Sequence, residues 1–106
     1  MSNEFNDRID SLFAHIEDAI DESELDADFE NQGSVFTVTV EGCAPLILNR
    51  HSPTEQLWLA AQSGGYHMAF DNERQQWLCT RSGQSFEQLW NAACEAQYGT
   101  NIELTG

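Results

Sequence analysis

Eight carboxylates crowd the fourteen residues from Glu17 to Glu30, namely Glu17, Asp18, Asp21, Glu22, Glu24, Asp26, Asp28 and Glu30, with no positive charge among them. On a helix Asp18 and Glu22 are i, i+4 neighbours, as are Glu17 and Asp21, with Cβ atoms about 5–6 Å apart. Two unit charges at that range repel by about 0.7 kcal/mol even at the dielectric of bulk water. Several such pairs weigh on a small domain, whose whole stability is roughly 5–15 kcal/mol. Hard cations relieve that repulsion, and oxygen donors suit Fe2+, Fe3+, Mn2+ and Ca2+. Exposed carboxylates without a convergent His or Cys predict weak, poorly selective binding. The bland alternative is a solvated acidic face that keeps the chain in solution. An EF-hand is excluded. D-A-D-F-E opens like one at Asp26, but glycine falls at the eighth place and Thr37 at the twelfth.

Other chemistry-bearing residues are sparse. His15 stands three residues before Asp18 and either joins a site there or remains a solvent-exposed bystander; His51 and His67 show no metal-ligand spacing. There is no nucleophile elbow, no Gly-rich phosphate loop and no H-E-x-x-H, and Arg81-Ser82-Gly83 reads as a turn. An enzyme in the ordinary sense is not expected, beyond at most a weak ferroxidase-like activity. In Gln56-Leu57-Trp58-Leu59-Ala60, strand alternation puts the leucines on one face and Trp58 with Gln56 on the other. With the leucines facing a core, Trp58 stands on an open sheet face near Asn49, as an interface anchor or half-buried against a loop.

The whole chain has eighteen Asp and Glu against four Arg and no Lys, a formal net charge of −14, in 106 residues of which 41% are apolar. That length expects one domain over residues 1–106. The charge repels phosphate, which excludes nucleic acid and anionic membrane and favours cations and basic protein surfaces. The opening MSNEFNDRID has neither a positive n-region nor an apolar h-region, so no signal peptide is expected, and no apolar run suits a membrane span. Three widely spaced cysteines, Cys43, Cys79 and Cys94, without a C-x-x-C pair, are expected as reduced packing residues.

The elements that position these residues follow from periodicity. Phe5, Ile9, Leu12, Phe13, Ile16 and Ile20 form one stripe at helical period. Leu25 to Asn31 alternates, with Leu25, Ala27 and Phe29 on one side and Asp26, Asp28 and Glu30 on the other. Further strands are expected over 34–40, 46–50, 56–61, 66–70 and 76–80, separated by short turns that leave no room for helical crossovers. Ser85 with Gln88 makes a capping box for a last helix, which packs through Phe86, Leu89, Trp90, Ala93 and Ala96–Gln97 and ends at Gly99; Asn101 to Leu104 packs beside it. The fold class is α+β: a two-layer sandwich with two terminal helices on one face of a five- to six-stranded antiparallel sheet, the other face open.

Three motifs carry a family resemblance. Asn49-Arg50-His51-Ser52-Pro53-Thr54-Glu55-Gln56-Leu57-Trp58-Leu59-Ala60 resembles the frataxin signature N-R-x-x-P-x-x-Q-[hydrophobic]-W-L-[A/S]. Gly64-Gly65-Tyr66-His67 resembles the G-G-Y-H of bacterial members, and Trp77 to Gly83 their W-x-C-x-R-S-G. With the acidic first helix, the similarity spans almost the whole chain. Two departures stand out: a shorter loop around Glu24, and Asn6 where a His is expected. The resemblance implies a cytoplasmic, iron-dependent regulator of iron–sulfur cluster assembly, monomeric or forming iron-driven oligomers. It implies weakly bound iron (Fe2+/Fe3+) on Glu17, Asp18, Asp21, Glu22, Asp26 and Asp28. The same ridge, through Asp18 and Glu22, would meet a basic patch of the cysteine desulfurase, and Asn49, Gln56 and Trp58 the scaffold protein. Two other readings stay open: an iron store or ferroxidase-like oxidant, and an acidic module for a basic protein unrelated to iron.

Overall fold

The computed structural model describes residues 3–23, 26–62, 64–99 and 102. Helix α1 spans Asn3–Glu22, and the strands are β1 Ala27–Asn31, β2 Val35–Val40, β3 Leu46–His51, β4 Gln56–Ala61, β5 Gly64–Asp71 and β6 Gln76–Cys79, followed by helix α2 Phe86–Tyr98. The strands pair in chain order as an antiparallel meander of six. This is the arrangement that short turns require, since hairpins need only a few residues between strands. Leu25 and Glu24 lie outside the described residues, as does the expected tail except Ile102.

The sheet's two faces are chemically different. Phe36, Val38, Leu46, Leu48, Leu57, Leu59, Met68, Trp77 and Cys79 are all buried, and alternation puts them on one face. Both helices bury their stripes there: Phe5, Ile9, Phe13, Ile16, Ala19 and Ile20 from α1, and Phe86, Leu89, Trp90, Ala93 and Cys94 from α2. Aromatic pairs tie the layers together. Phe13 meets Phe36 at 5.0 Å between ring centroids, and Phe5 meets Trp77 edge-on at 6.1 Å. Trp90 is fully buried and donates its indole N–H to the Ile102 carbonyl at 2.9 Å, which docks the segment after α2.

Local signals were largely decisive. Ser85 caps α2 with both arms of its capping box made, and Gly99 closes it at φ 74°, left-handed backbone that glycine adopts without strain. Three sequence expectations shift. Gly64 and Gly65 do not form a turn but open β5, paired with Ala61 and Ala60. On α2 the packing side runs through Cys94, while Ala96 is exposed and Gln97 half-buried. Gln97 instead reaches out, donating to the Ala44 carbonyl and accepting from the Gln62 N–H. Phe29 keeps the side it shares with Ala27 and pairs with the inward Val38; on the edge strand β1 it stacks on Phe36 at 5.6 Å and stays 37% exposed. Cys43 is exposed, not a packing residue, because it sits in the β2–β3 turn; Cys79 and Cys94 are buried as expected. Among the described residues no helix is long and apolar enough to cross a membrane.

Truncating Trp90 removes the largest fully buried side chain and its bond to the chain end. Trp90→Ala should cost about 3–5 kcal/mol and Ser85→Ala about 1 kcal/mol, both read from chemical denaturation at unchanged m-value. Equal losses from the two would contradict this account of the core.

Candidate functional site

The acidic residues lie along one edge of the sandwich, where α1 flanks β1. Asp18, Asp21, Glu22, Asp26, Asp28 and Glu30 are exposed and Glu17 is half-buried. Asn31 of β1 donates its side-chain N–H to Glu17 Oε2 at 3.1 Å, so strand and helix meet at that point. Asp28 and Glu30 pair in register with Thr39 and Thr37, between the inward Phe36 and Val38. The strand carboxylates therefore project on the open sheet face, and the helix carboxylates on the other side of the same edge. The ridge is two rows separated by the β1 backbone. Among the described residues no group of three or more His, Cys, Asp or Glu side chains is gathered tightly enough to hold a metal ion.

Counter-charges are elsewhere. Arg8 pairs with Glu4 at 3.1 Å, Arg50 with Asp10 at 2.5 Å and Arg74 with Asp71 at 3.9 Å. None of these reaches the ridge. The last turn of α1 carries no basic residue, although the helix C-terminus already presents partial negative charge. Asp21 and Glu22 stand at that end. An incoming cation thus meets the side chains and the helix dipole with the same sign. His15, three residues before Asp18, is half-buried on the opposite flank. It lines a groove of about 520 Å³ between the helices with Arg8, Ser11, Leu12, Trp77 and Phe86.

Arg50, of the N-R pair, is a clasp between layers. It donates to Asn6 Oδ1 at 3.0 Å and to Asp10 Oδ1, and lies over the Phe13 ring at 5.7 Å. Asn6, the departure from the resembled pattern, is therefore part of the seam between α1 and β3. Sequence reasoning missed this contact because it links residues 44 positions apart.

On the open face, register places Asn49, Trp58 and His67 side by side on β3, β4 and β5. Trp58 is half-buried between two imidazoles. His51 stacks on it at 4.0 Å and 12°, and His67 at 4.3 Å and 14°. Its indole N–H is held by Gln56 Oε1 at 2.9 Å, and His51 Nδ1 meets Thr54 Oγ1 at 2.7 Å. Asn49, Gln56 and Trp58 do share one face; the histidines that flank the Trp were the missed members. The Gly64-Gly65 pairing sets Trp58 opposite His67, a signal that only the hairpin register reveals.

Next to His67 lies a cavity of about 610 Å³ lined also by Gly65, Tyr66, Cys79, Thr80, Arg81, Ser82 and Gln84. Burial works to raise the Cys79 thiol, but hydrogen bonds from the Ser82 side chain and backbone and from the Arg81 backbone, with the Arg81 charge, bring it below its ordinary value. Burial instead pushes Cys94 up to about 11 and Tyr98 to about 12.

Two helices on one face of a six-stranded antiparallel meander, with an acidic edge and an aromatic centre on the bare face, define a two-layer α+β sandwich. The frataxin-like domain family model matches residues 1–100, and the chain belongs to that family. It is 43% identical over 102 residues to an iron–sulfur cluster assembly protein CyaY of Neisseria meningitidis serogroup B, covering 96% of this chain and 94% of that protein. Among solved structures it resembles the frataxin of Psychromonas ingrahamii, with TM-score 0.88 and 35% identity over 97% of this chain and 96% of the other. A trimeric frataxin of Saccharomyces cerevisiae complexed with ferrous matches at TM-score 0.69 over 91% of this chain and 86% of that one; at 22% identity it shows the fold alone. The family places this chain among proteins of iron–sulfur cluster assembly.

Arg50→Ala should lose about 1–3 kcal/mol, the range for a charged hydrogen bond made by a largely shielded group. Arg81→Gln, exposed and outside the ion pairs, should stay within about 0.5 kcal/mol of the parent. Thermal melts of both variants check the contrast; a neutral Arg50→Ala would dissolve the clasp.

Proposed function

We propose that this protein is a cytoplasmic, non-enzymatic regulator of iron–sulfur cluster assembly that couples weakly held iron to docking on the cysteine desulfurase and its scaffold. Glu17, Asp18, Asp21, Glu22, Asp26 and Asp28 take iron; Asp18 and Glu22 also meet the basic patch of the desulfurase; Asn49, Gln56 and Trp58 meet the scaffold. The observation that carries the reading is the edge without arginine partners: the three arginine ion pairs employ Glu4, Asp10 and Asp71, and none reaches the ridge. The name shared by the curated relatives supports the pathway, and an oxygen-only donor set supports a hard cation such as iron.

Exposure supports weak, exchangeable binding. Water competes for each exposed carboxylate, and two rows split by a strand do not converge on one ion without side-chain rearrangement. One surface can then serve both roles. A bound Fe2+ lowers the local negative charge, and with it the attraction for a basic partner, so iron loading tunes docking.

Desulfurase binding, measured by calorimetry, should weaken steeply between 50 and 500 mM salt, about 14 and 4 Å of screening length. The paired reversal Asp18→Lys with Glu22→Lys should abolish it. Salt-insensitive affinity would refute electrostatic docking. Millimolar Fe2+ or Mn2+ under anaerobic conditions should raise the melting temperature, because a ligand bound only by the folded state stabilises it. Asp18→Asn, Asp21→Asn and Glu22→Gln combined should melt higher without metal, by about 1 kcal/mol of relieved repulsion, and should lose most of the metal response. A combined variant that responds to metal like the parent would remove the ridge from the proposal.

A further inference from the structure

The bare sheet face presents a chemistry opposite to that of the ridge. β3 and β5 lie on opposite sides of β4, so His51 covers one face of the Trp58 indole and His67 the other. A cation is held over the π face of an indole, and here neither face is open. The stack turns outward the rims of three near-parallel rings, where the aromatic quadrupole is positive. The Trp58 N–H is taken up by Gln56, while the His67 imidazole makes no hydrogen bond among the described residues.

Beyond His67 the face runs into the cavity that holds Arg81 with Thr80, Ser82 and Gln84. Each of the other three guanidiniums has a carboxylate partner, whereas Arg81 has none among the described residues. In a chain of net charge −14, a guanidinium left over beside an imidazole and the Thr80 hydroxyl has the donor set of a carboxylate receptor. The overall negative field repels free small anions. A carboxylate tethered to a protein already docked elsewhere arrives at raised effective concentration and overcomes that repulsion.

We propose that His67 and Arg81, with the outward rim of the His51–Trp58–His67 stack, form a docking site for a carboxylate carried on a segment of a partner protein. The inference deepens the sheet-face half of the proposed function and rests on that reading for the partner's arrival, while its chemistry rests on the stack and the cavity. The face selects a hydrogen-bond acceptor; the ridge selects cations.

The test titrates the full isotope-labelled chain, at about 0.15 M salt to limit long-range repulsion, with three Gly-Ser peptides bearing a central Glu, Gln or Lys. The Glu peptide should shift the His51 and His67 ring signals, the Trp58 indole N–H and the Arg81 Nε–H, with the Gln peptide at least about five-fold weaker, as loss of the charged acceptor requires. Arg81→Gln should reduce the Glu response by a similar factor while melting like the parent. The Lys peptide should shift ridge amides and leave the stack unmoved. Equal responses to Glu and Gln, a stack moved by Lys, or an unaltered Arg81→Gln response would each overturn the proposal. Inorganic phosphate reproducing the Glu shifts at equal concentration would also overturn it, since the site would then take free anions. Asp18→Lys with Glu22→Lys should retain the Glu response. Loss of desulfurase binding alongside that retained response keeps ridge failure and sheet-face failure apart.

Discussion

Four guanidiniums face eighteen carboxylates in this chain, and where the three that pair with them are spent decides what each surface can attract. Arg8 and Arg50 hold the N-terminal half of α1, through Glu4 and Asp10, and Arg74 pairs inside the β5–β6 turn. The C-terminal half of α1 and the β1 edge receive none. Placing the cations at one end leaves an uncancelled field at the other, which no count of surface charges alone would predict. Exposed pairs contribute little to stability, so this distribution matters for what the surface binds more than for the fold.

The fold tolerates the field because its cohesion is apolar and one-sided. Both helices bury onto one sheet face, and the described residues include no buried polar or charged side chain in that core. Like-charge repulsion acts on an outer helix side whose inner side is anchored by Ile16, Ala19 and Ile20. The cost spreads over solvent and is damped there. Covering only one face also leaves the other bare. A central strand such as β4 then alternates between two environments, Leu57 and Leu59 inward and Trp58 outward. The bare face follows from the topology of a meander flanked by two helices, with no third layer among the described residues to cover it.

Sequence legibility tracked sequence distance. The α1 stripe, the α2 cap and the inward leucines of β4 depend on neighbours within a turn or a strand, and periodicity reveals them. Trp58 on the open face was legible for the same reason. The Arg50 clasp to Asn6 and Asp10 and the imidazoles around Trp58 depend on register between distant segments, which single-sequence patterns do not encode. Gly64-Gly65 misled because two glycines read as a turn, whereas they pair with Ala61 and Ala60 as the start of a strand, with glycine favoured at Gly64 by a φ of 147°. The exposure of Phe29 was not legible, because alternation gives the face of a strand but not whether that strand is central or an edge.

The two surfaces differ in how they were built, and that difference bears on how they act. The ridge is a field: exposed carboxylates without a fixed chelate, whose attraction reaches outward, falls with salt and imposes little geometry. The Trp58 stack is a shape: three rings held by Gln56, Thr54 and strand register, acting only at contact. A field raises the rate of encounter and a rigid patch sets orientation and residence. Because the ridge edge is β1 and the stack is centred on β4 of the same sheet, a partner drawn to the edge is already within one sheet's width of the patch. Any cation that weakens the field therefore changes how often the patch is reached without altering the patch itself.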